Sequence, residues 1–188
     1  MKIAGKIIKY GDHIDTDIII AGHRLVHGSD IKLMAKFAME SYDPDFHKKI
    51  NKGAKIIVAG KNFGSGSSRQ QAPEVLKESG IEVILADSFA RIFYRNAINI
   101  GLPVLFIEGV SSIFKEGEEA EVDLNTGEIQ NLTKGIKIKS KPIPNFLMEI
   151  LNEGGLVNHL KKKLYSKWGK NKMVYKITII PGDGIGPI

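Results

Sequence analysis

Residues Ala54 to Ser79 read AKIIVAGKNFGSGSSRQQAPEVLKES, and this stretch decides the fold. Ile56-Ile57-Val58-Ala59 is a short apolar run of the buried-strand type. The chain then passes through Gly60, Gly64 and Gly66 and enters a helical pattern at Ser67-Ser68-Arg69. Ser67 or Ser68 is a natural N-cap, and Pro73 falls early enough in the helix to be tolerated. A glycine turn feeding a helix start offers unpaired backbone N–H groups and the positive end of the helix dipole. The expectation is therefore an anion-binding turn, with a hydroxyl and a guanidinium beside it. It is not a Walker A loop, because no Gly-Lys-Ser/Thr follows, and it is not a G-x-S-x-G elbow. The glycine spacing also fails a dinucleotide fingerprint. The plain alternative is a glycine turn that only closes a strand on a helix.

Outward from this stretch, Ile81–Ala86 reads as a second strand, 88–100 as an amphipathic helix stopped by Gly101-Leu102-Pro103, and 103–107 as a third strand. Strand–helix–strand–helix–strand predicts a parallel core sheet with its sites at the carboxyl ends of the strands. Residues 2–9 read as a further strand. Gly11–Asp17 is a polar turn leading to Ile18-Ile19-Ile20, and 31–42 has helical spacing that places Met34 and Met39 in the core. Asp43-Pro44 ends that helix. Glu121–Gln130 alternates across Asn-Thr-Gly as a β-hairpin. Pro144–Leu151 reads as a helix closed by Gly154-Gly155, followed by a short helix from Leu156 to Leu160.

The chain has 188 residues, 43% of them hydrophobic, enough for one domain with a core. It has no cysteine, so disulfides and thiolate metal sites are excluded. The Asp15-x-Asp17 spacing lacks the further oxygen ligands of a calcium loop. No stretch is long and apolar enough to span a membrane, and the N-terminus is too short and interrupted for a signal peptide, so a cytoplasmic protein is expected. The net charge of +6 lies entirely in residues 161–188, which carry seven Lys and one acid. Residues 1–160 balance at zero, so a basic nucleic-acid groove is not expected on the folded domain.

Asn62-Phe63-Gly64-Ser65-Gly66-Ser67-Ser68-Arg69, followed by Ser88–Pro103 (SFARIFYRNAINIGLP), resembles the small subunit of the isopropylmalate dehydratase and homoaconitase family. Asp15-Thr16-Asp17 and Asn152-Glu153-Gly154-Gly155-Leu156 also match. The resemblance covers roughly residues 1–165. It implies an α/β swivelling domain of the aconitase C-terminal type, a β/β/α arrangement with a mainly parallel core sheet and an added β-hairpin. It implies a hydro-lyase that interconverts 2- and 3-isopropylmalate by dehydration and rehydration in leucine biosynthesis. Activity would require a large subunit, as heterodimer or heterotetramer, whose three cysteines hold a 4Fe–4S cluster; this chain would bind no cofactor itself.

By the same resemblance Ser67 is the catalytic base, acting as alkoxide, Arg69 stabilises it and clamps a substrate carboxylate, and Asp17 lies near the serine. Gly66 and Ser68 would complete the substrate-binding turn. The plain alternative for Asp15–Asp17 is an Asx-type turn. Ala21–Asp30 matches the loop that separates substrates: Leu25-Val26 fits a branched alkyl group, whereas homoaconitase subunits place an arginine there to hold an additional carboxylate. Arg24 departs from the usual tyrosine, and either supplies that charge from one position away or points to solvent. Ser65 in place of a cysteine common in archaeal members and Gln70 in place of Glu are further departures. Arg91 and Arg95 share a helix face, either solvated or near substrate. The runner-up is a homoaconitase small subunit; remoter readings are a phosphate-binding or nucleic-acid-binding module. Residues 173–187 resemble the start of an isopropylmalate or isocitrate-type dehydrogenase, so 166–188 is expected to be a basic, loosely held tail read through from a neighbouring gene.

Overall fold

The computed structural model describes residues 1–27 and 30–168. Seven strands form one sheet: β1 (Lys2–Lys9), β2 (Ala54–Ala59), β3 (Val83–Ala86), β4 (Val104–Phe106), β5 (Glu119–Asp123), β6 (Glu128–Asn131) and β7 (Ile136–Lys139). Their spatial order is β4-β3-β2-β1-β5-β6-β7. The four strands β4 to β1 are mutually parallel, with Ile57 level with Ile8 and Ile84. β1 then pairs antiparallel with β5, and the expected hairpin β5–β6 is extended by β7. All four residues of β3 and the last four of β2 are buried, as strands covered on both faces require.

The helices are α1 (Thr16–Ile19), α2 (Ile31–Ala35), α3 (Phe46–Asn51), α4 (Gln71–Glu78), α5 (Arg91–Asn99), α6 (Val110–Ile113), α7 (Asn145–Asn152) and α8 (Leu156–Trp168), with a 3-10 turn over Gly22–His27. α4 and α5 are the crossovers of the parallel unit. They turn Ala72, Val75, Leu76, Phe93, Ala97 and Ile98 inward, all buried.

Three expectations need correction. The helix after the glycine turn starts at Gln71 and is not capped by Ser67 or Ser68; Gln70 takes the cap position without a capping hydrogen bond from its side chain. Pro73 explains the shift. A cap at Ser68 would place proline at the fifth helical residue, where its missing N–H and its ring disrupt the ladder, whereas here it is the third. The helix expected over 31–42 is α2 alone, followed by turns. Met39 has φ +61° and donates its N–H to the carbonyl of Ile19 at 2.9 Å, so a tertiary bond displaces helix propagation. Met34 and Met39 are fully buried, as core. The last helix does not stop at Leu160: Glu153 before α8 pairs with Lys162 at 2.7 Å and with His159 at 2.6 Å, which ties the lysine run into it. The reading of 166–188 as a tail falls, from residue 169 on, outside the described residues.

Candidate active site

Two polar turns meet at the carboxyl end of the parallel strands. One follows β1 and the other follows β2. The N–H of Gly64 donates to the carbonyl of Ile14 at 2.7 Å, and that of Thr16 to the carbonyl of Ser65 at 2.8 Å. Asp15 and Ser65 thereby form an isolated parallel bridge beyond the ends of their strands. Asp15 itself is structural: its Oδ1 accepts from the N–H of Ile18 at 2.7 Å and caps α1. That satisfies one of the unpaired donors of a helix start.

Asp17 reaches Arg69. Arg69 Nη1 donates to Asp17 Oδ1 at 2.5 Å and to the carbonyl of Ile20 at 3.3 Å. The pair joins an arginine side chain only 20% exposed to a carboxylate 57% exposed, so the guanidinium is largely covered while its partner lies toward solvent. Nε and Nη2 carry no hydrogen bond among the described residues, leaving one edge of the fork open. Gly22 passes close by: a Cβ there would sit 3.3 Å from Nη2.

Ser67 is held through its backbone and free at its hydroxyl. Its carbonyl accepts from Thr16 Oγ1 at 3.2 Å and from the N–H of Arg69 at 2.8 Å. Gly66, Ser67 and Ser68 are exposed, and their N–H groups meet no protein acceptor among the described residues. Gly66 has φ +91° and Gly64 φ +76°, which turns these amides outward. Gly64 also has no room for a side chain, because a Cβ would lie 2.1 Å from Phe93 Cγ. The turn thus offers amide donors, a hydroxyl and a guanidinium together, an arrangement able to hold and stabilise an oxyanion. With α4 beginning at Gln71, the helix dipole contributes little at Ser67, since its effect fades within a turn.

The third group of expected residues behaves differently. Arg24 neither points to solvent nor stands free. Its Nε and Nη2 bind Glu40 Oε1 and Oε2 at 2.7 and 2.9 Å, and its guanidinium lies over the Phe37 ring at 3.9 Å. The hydrogen bonds to Glu40 hold Arg24 firmly in its charged form. Leu25 packs on the core, and Val26 is 81% exposed, an apolar side chain held out on the loop. Gly28 and Ser29 of this loop lie outside the described residues. Arg91 and Arg95 are exposed.

Two participants carry no local sequence signal of their role. Thr16, fully buried, positions the Ser67 carbonyl, and Glu40 neutralises Arg24 from sixteen residues away. Among the described residues no group of three or more His, Cys, Asp or Glu could hold a metal ion, and no helix is long and apolar enough to cross a membrane.

Comparison with known proteins gives a consistent set of likenesses. Residues 13–109 match the family described as the aconitase C-terminal domain. An isopropylmalate/citramalate isomerase small subunit from Methanocaldococcus jannaschii is 52% identical over 162 residues, which is 86% of this chain and 95% of that protein. A 3-isopropylmalate dehydratase small subunit from Halothermothrix orenii is 51% identical over 161 residues, 86% of this chain and 96% of that one. The crystal structure of 3-isopropylmalate dehydratase from M. jannaschii aligns with a TM-score of 0.83 at 43% identity, covering 91% of this chain and 100% of the other.

Proposed function

The chain belongs to the aconitase C-terminal domain family, among the 3-isopropylmalate dehydratase small subunits, and from that premise we propose how it works. It is the small subunit of a hydro-lyase that isomerises 2- and 3-isopropylmalate, and it works with a large subunit. The observation that carries the reading is the stitching of Asp15–Asp17 onto Ser65–Arg69, which sets a free serine hydroxyl beside a half-engaged arginine.

Removing a proton α to a carboxylate requires a base, and the proposed base is Ser67 Oγ. Its anion would be met by the free N–H groups of Gly66 to Ser68 and by the field of Arg69. The open edge of Arg69 would take a substrate carboxylate in a charge-assisted pair while Asp17 and the Ile20 carbonyl hold the other edge. Expulsion of hydroxide needs a Lewis acid, which the family resemblance assigns to a 4Fe–4S cluster. This chain has no cysteine and, among its described residues, no clustered metal ligands, so it does not fit such a cluster, which belongs with the partner.

The substrate arm follows from Arg24 and Val26. Glu40 occupies the Nε and Nη2 edge of Arg24 and neutralises its charge, which weakens its claim on the additional carboxylate of homoaconitate. Val26 offers apolar surface to an alkyl arm. The M. jannaschii relative is named for citramalate as well, whose arm is also alkyl.

The test is turnover by this chain mixed with its cognate large subunit, reconstituted with iron and sulfide without oxygen. Absorbance of the unsaturated intermediate is followed with isopropylmalate, citramalate and homoaconitate in turn. Turnover of the alkyl substrates, only with both chains present and lost in Ser67→Ala with binding retained, is expected. Preference for homoaconitate would overturn the substrate reading, and near-normal turnover by Ser67→Ala would overturn the base.

A further inference from the structure

We propose that a groove at the carboxyl ends of β3 and β4 is the docking site for an acidic segment of the large subunit. The inference rests on the reading that this chain works in a pair. The groove holds about 290 Å³ and is lined by Ser88, Phe89, Arg91, Tyr94, Arg95 and Phe106. Its interior is aromatic. Phe89 stacks on the buried Phe93 with rings 6.5 Å apart and meets Tyr94 edge-on at 6.3 Å. Phe106 ends the edge strand β4 and is 52% exposed, and Ile92, next to Arg91 on α5, is 50% exposed. These are large apolar side chains left uncovered on an otherwise well-buried parallel unit.

The rim is cationic and unpaired. Of the chain's four arginines, Arg24 holds Glu40 and Arg69 holds Asp17. Arg91 and Arg95 have no ion pair or hydrogen bond with any described residue. They stand four apart on α5, where like charges repel, and α5 begins at Arg91 with neither a side-chain cap nor an acid in its first turn. The free chain therefore carries both charges at a cost to the helix, and a carboxylate from outside removes that cost. An apolar centre of Phe and Tyr with arginines at its edge is the composition of a protein interface. A small anion would use the arginines and leave Phe106 and Ile92 exposed.

The groove also adjoins the proposed catalytic turn. Phe63 and Phe89 form an isolated parallel bridge, and the N–H of Ala90 donates to the carbonyl of Phe63 at 2.9 Å. A partner that brings its chemistry to Ser67 is one bridge away from this edge.

The experiment measures association of this chain with its cognate large subunit by titration calorimetry at two salt concentrations. The variants are R91E/R95E and Phe106→Ser, with Lys137→Glu on the distant strand β7 as control. Charge reversal is expected to weaken binding roughly 30-fold or more and to remove most of its salt dependence. Phe106→Ser should weaken binding at both salt concentrations alike, and the control should leave it unchanged. The thermal midpoint of free R91E/R95E should not fall, which separates docking from folding, and kcat at saturating large subunit should hold. Binding unchanged within twofold would overturn the proposal, as would unchanged binding with a raised KM, which would place the arginines on substrate. If the wild-type chain itself does not bind a large subunit, the reading of the pair fails instead.

Discussion

Gly64 is the position where backbone conformation and packing both forbid a side chain, and the two costs can be separated. Replacing it with alanine puts a Cβ on a residue with φ +76°, which costs an L-amino acid roughly 1–2 kcal/mol. That Cβ would also lie 2.1 to 2.4 Å from three atoms of Phe93. Phe93 cannot swing away, since it is 2% exposed and wedged edge-on to Phe63 at 5.3 Å and stacked on Phe89. Overpacking of that kind costs a further 1–3 kcal/mol or so. Gly135, in the turn between β6 and β7, has φ +70° and nothing within 4 Å of its would-be Cβ. Gly135→Ala therefore reports the backbone cost alone.

The expected outcome in urea unfolding is a loss of about 1–2 kcal/mol for Gly135→Ala and about 2–5 kcal/mol for Gly64→Ala. The difference between them measures the Phe93 contact. At a temperature where both variants are folded, only Gly64→Ala should lose turnover, because relief of the clash shifts the turn that presents Ser67. Equal destabilisation within about 0.5 kcal/mol, the range over which independent effects are resolved, would refute the close approach of the turn to α5.

Three further outcomes follow from the same geometry. Thr16→Val removes the hydroxyl that holds the Ser67 carbonyl; stability should fall by about 0.5–1.5 kcal/mol, and kcat should fall with KM little changed. A rise in KM alone would reassign Thr16 to substrate binding. Glu40→Gln removes the countercharge and one of the two acceptors on Arg24 and should raise homoaconitate turnover relative to isopropylmalate, read as a ratio of kcat/KM; an unchanged ratio would mean that Arg24 faces away from substrate. Glu118 sits under burial, which pushes its carboxyl up, but the Lys115 N–H, Lys134 and Asn131 outweigh this and hold it at about 2. The folded value lies below the ordinary 4.5, so its contribution is complete above about pH 4.5 and is lost as pH falls toward 2. Acid titration of unfolding should show this loss in wild type and a flatter profile in Glu118→Gln.

Most of the parallel unit was legible because β2, β3 and β4 are short apolar runs each preceded by a glycine or a proline, and such runs have one stable use in an α/β fold. β7 was not: Ile136–Lys139 alternates isoleucine and lysine on an exposed edge, and nothing but pairing with β6 makes it a strand. The helix over 31–42 misled because apolar spacing says nothing of Ile19, whose carbonyl takes the Met39 N–H. In the site, Ser67, Arg69 and Asp17 were singled out by motif, and the structure brings Arg69 and Asp17 into contact. Arg24 was read without its partner because the pairing with Glu40 depends on how the 3-10 turn lies against the chain after α2, a tertiary fact with no local signature.

With Ser67 as the proposed base, the displacement of the helix start by Pro73 changes how it would have to be activated. A serine at an N-cap would draw on the dipole of α4, whereas here it stands four residues before the first helical residue. On the proposed reading its anion would depend on three amide donors exposed to water in the free chain and on one largely covered guanidinium. Water competes for such donors, so their hold on the oxyanion is weak until the site is dry. Covering the turn with the large subunit would then perform two acts at once, removing the competing water and, on the proposed reading, supplying the electrophile. On this argument the small subunit is inert alone for an electrostatic reason as well as for want of a Lewis acid. Its hydroxyl would become a base only where substrate is already bound and closed in, which would keep the alkoxide from reacting in open solvent.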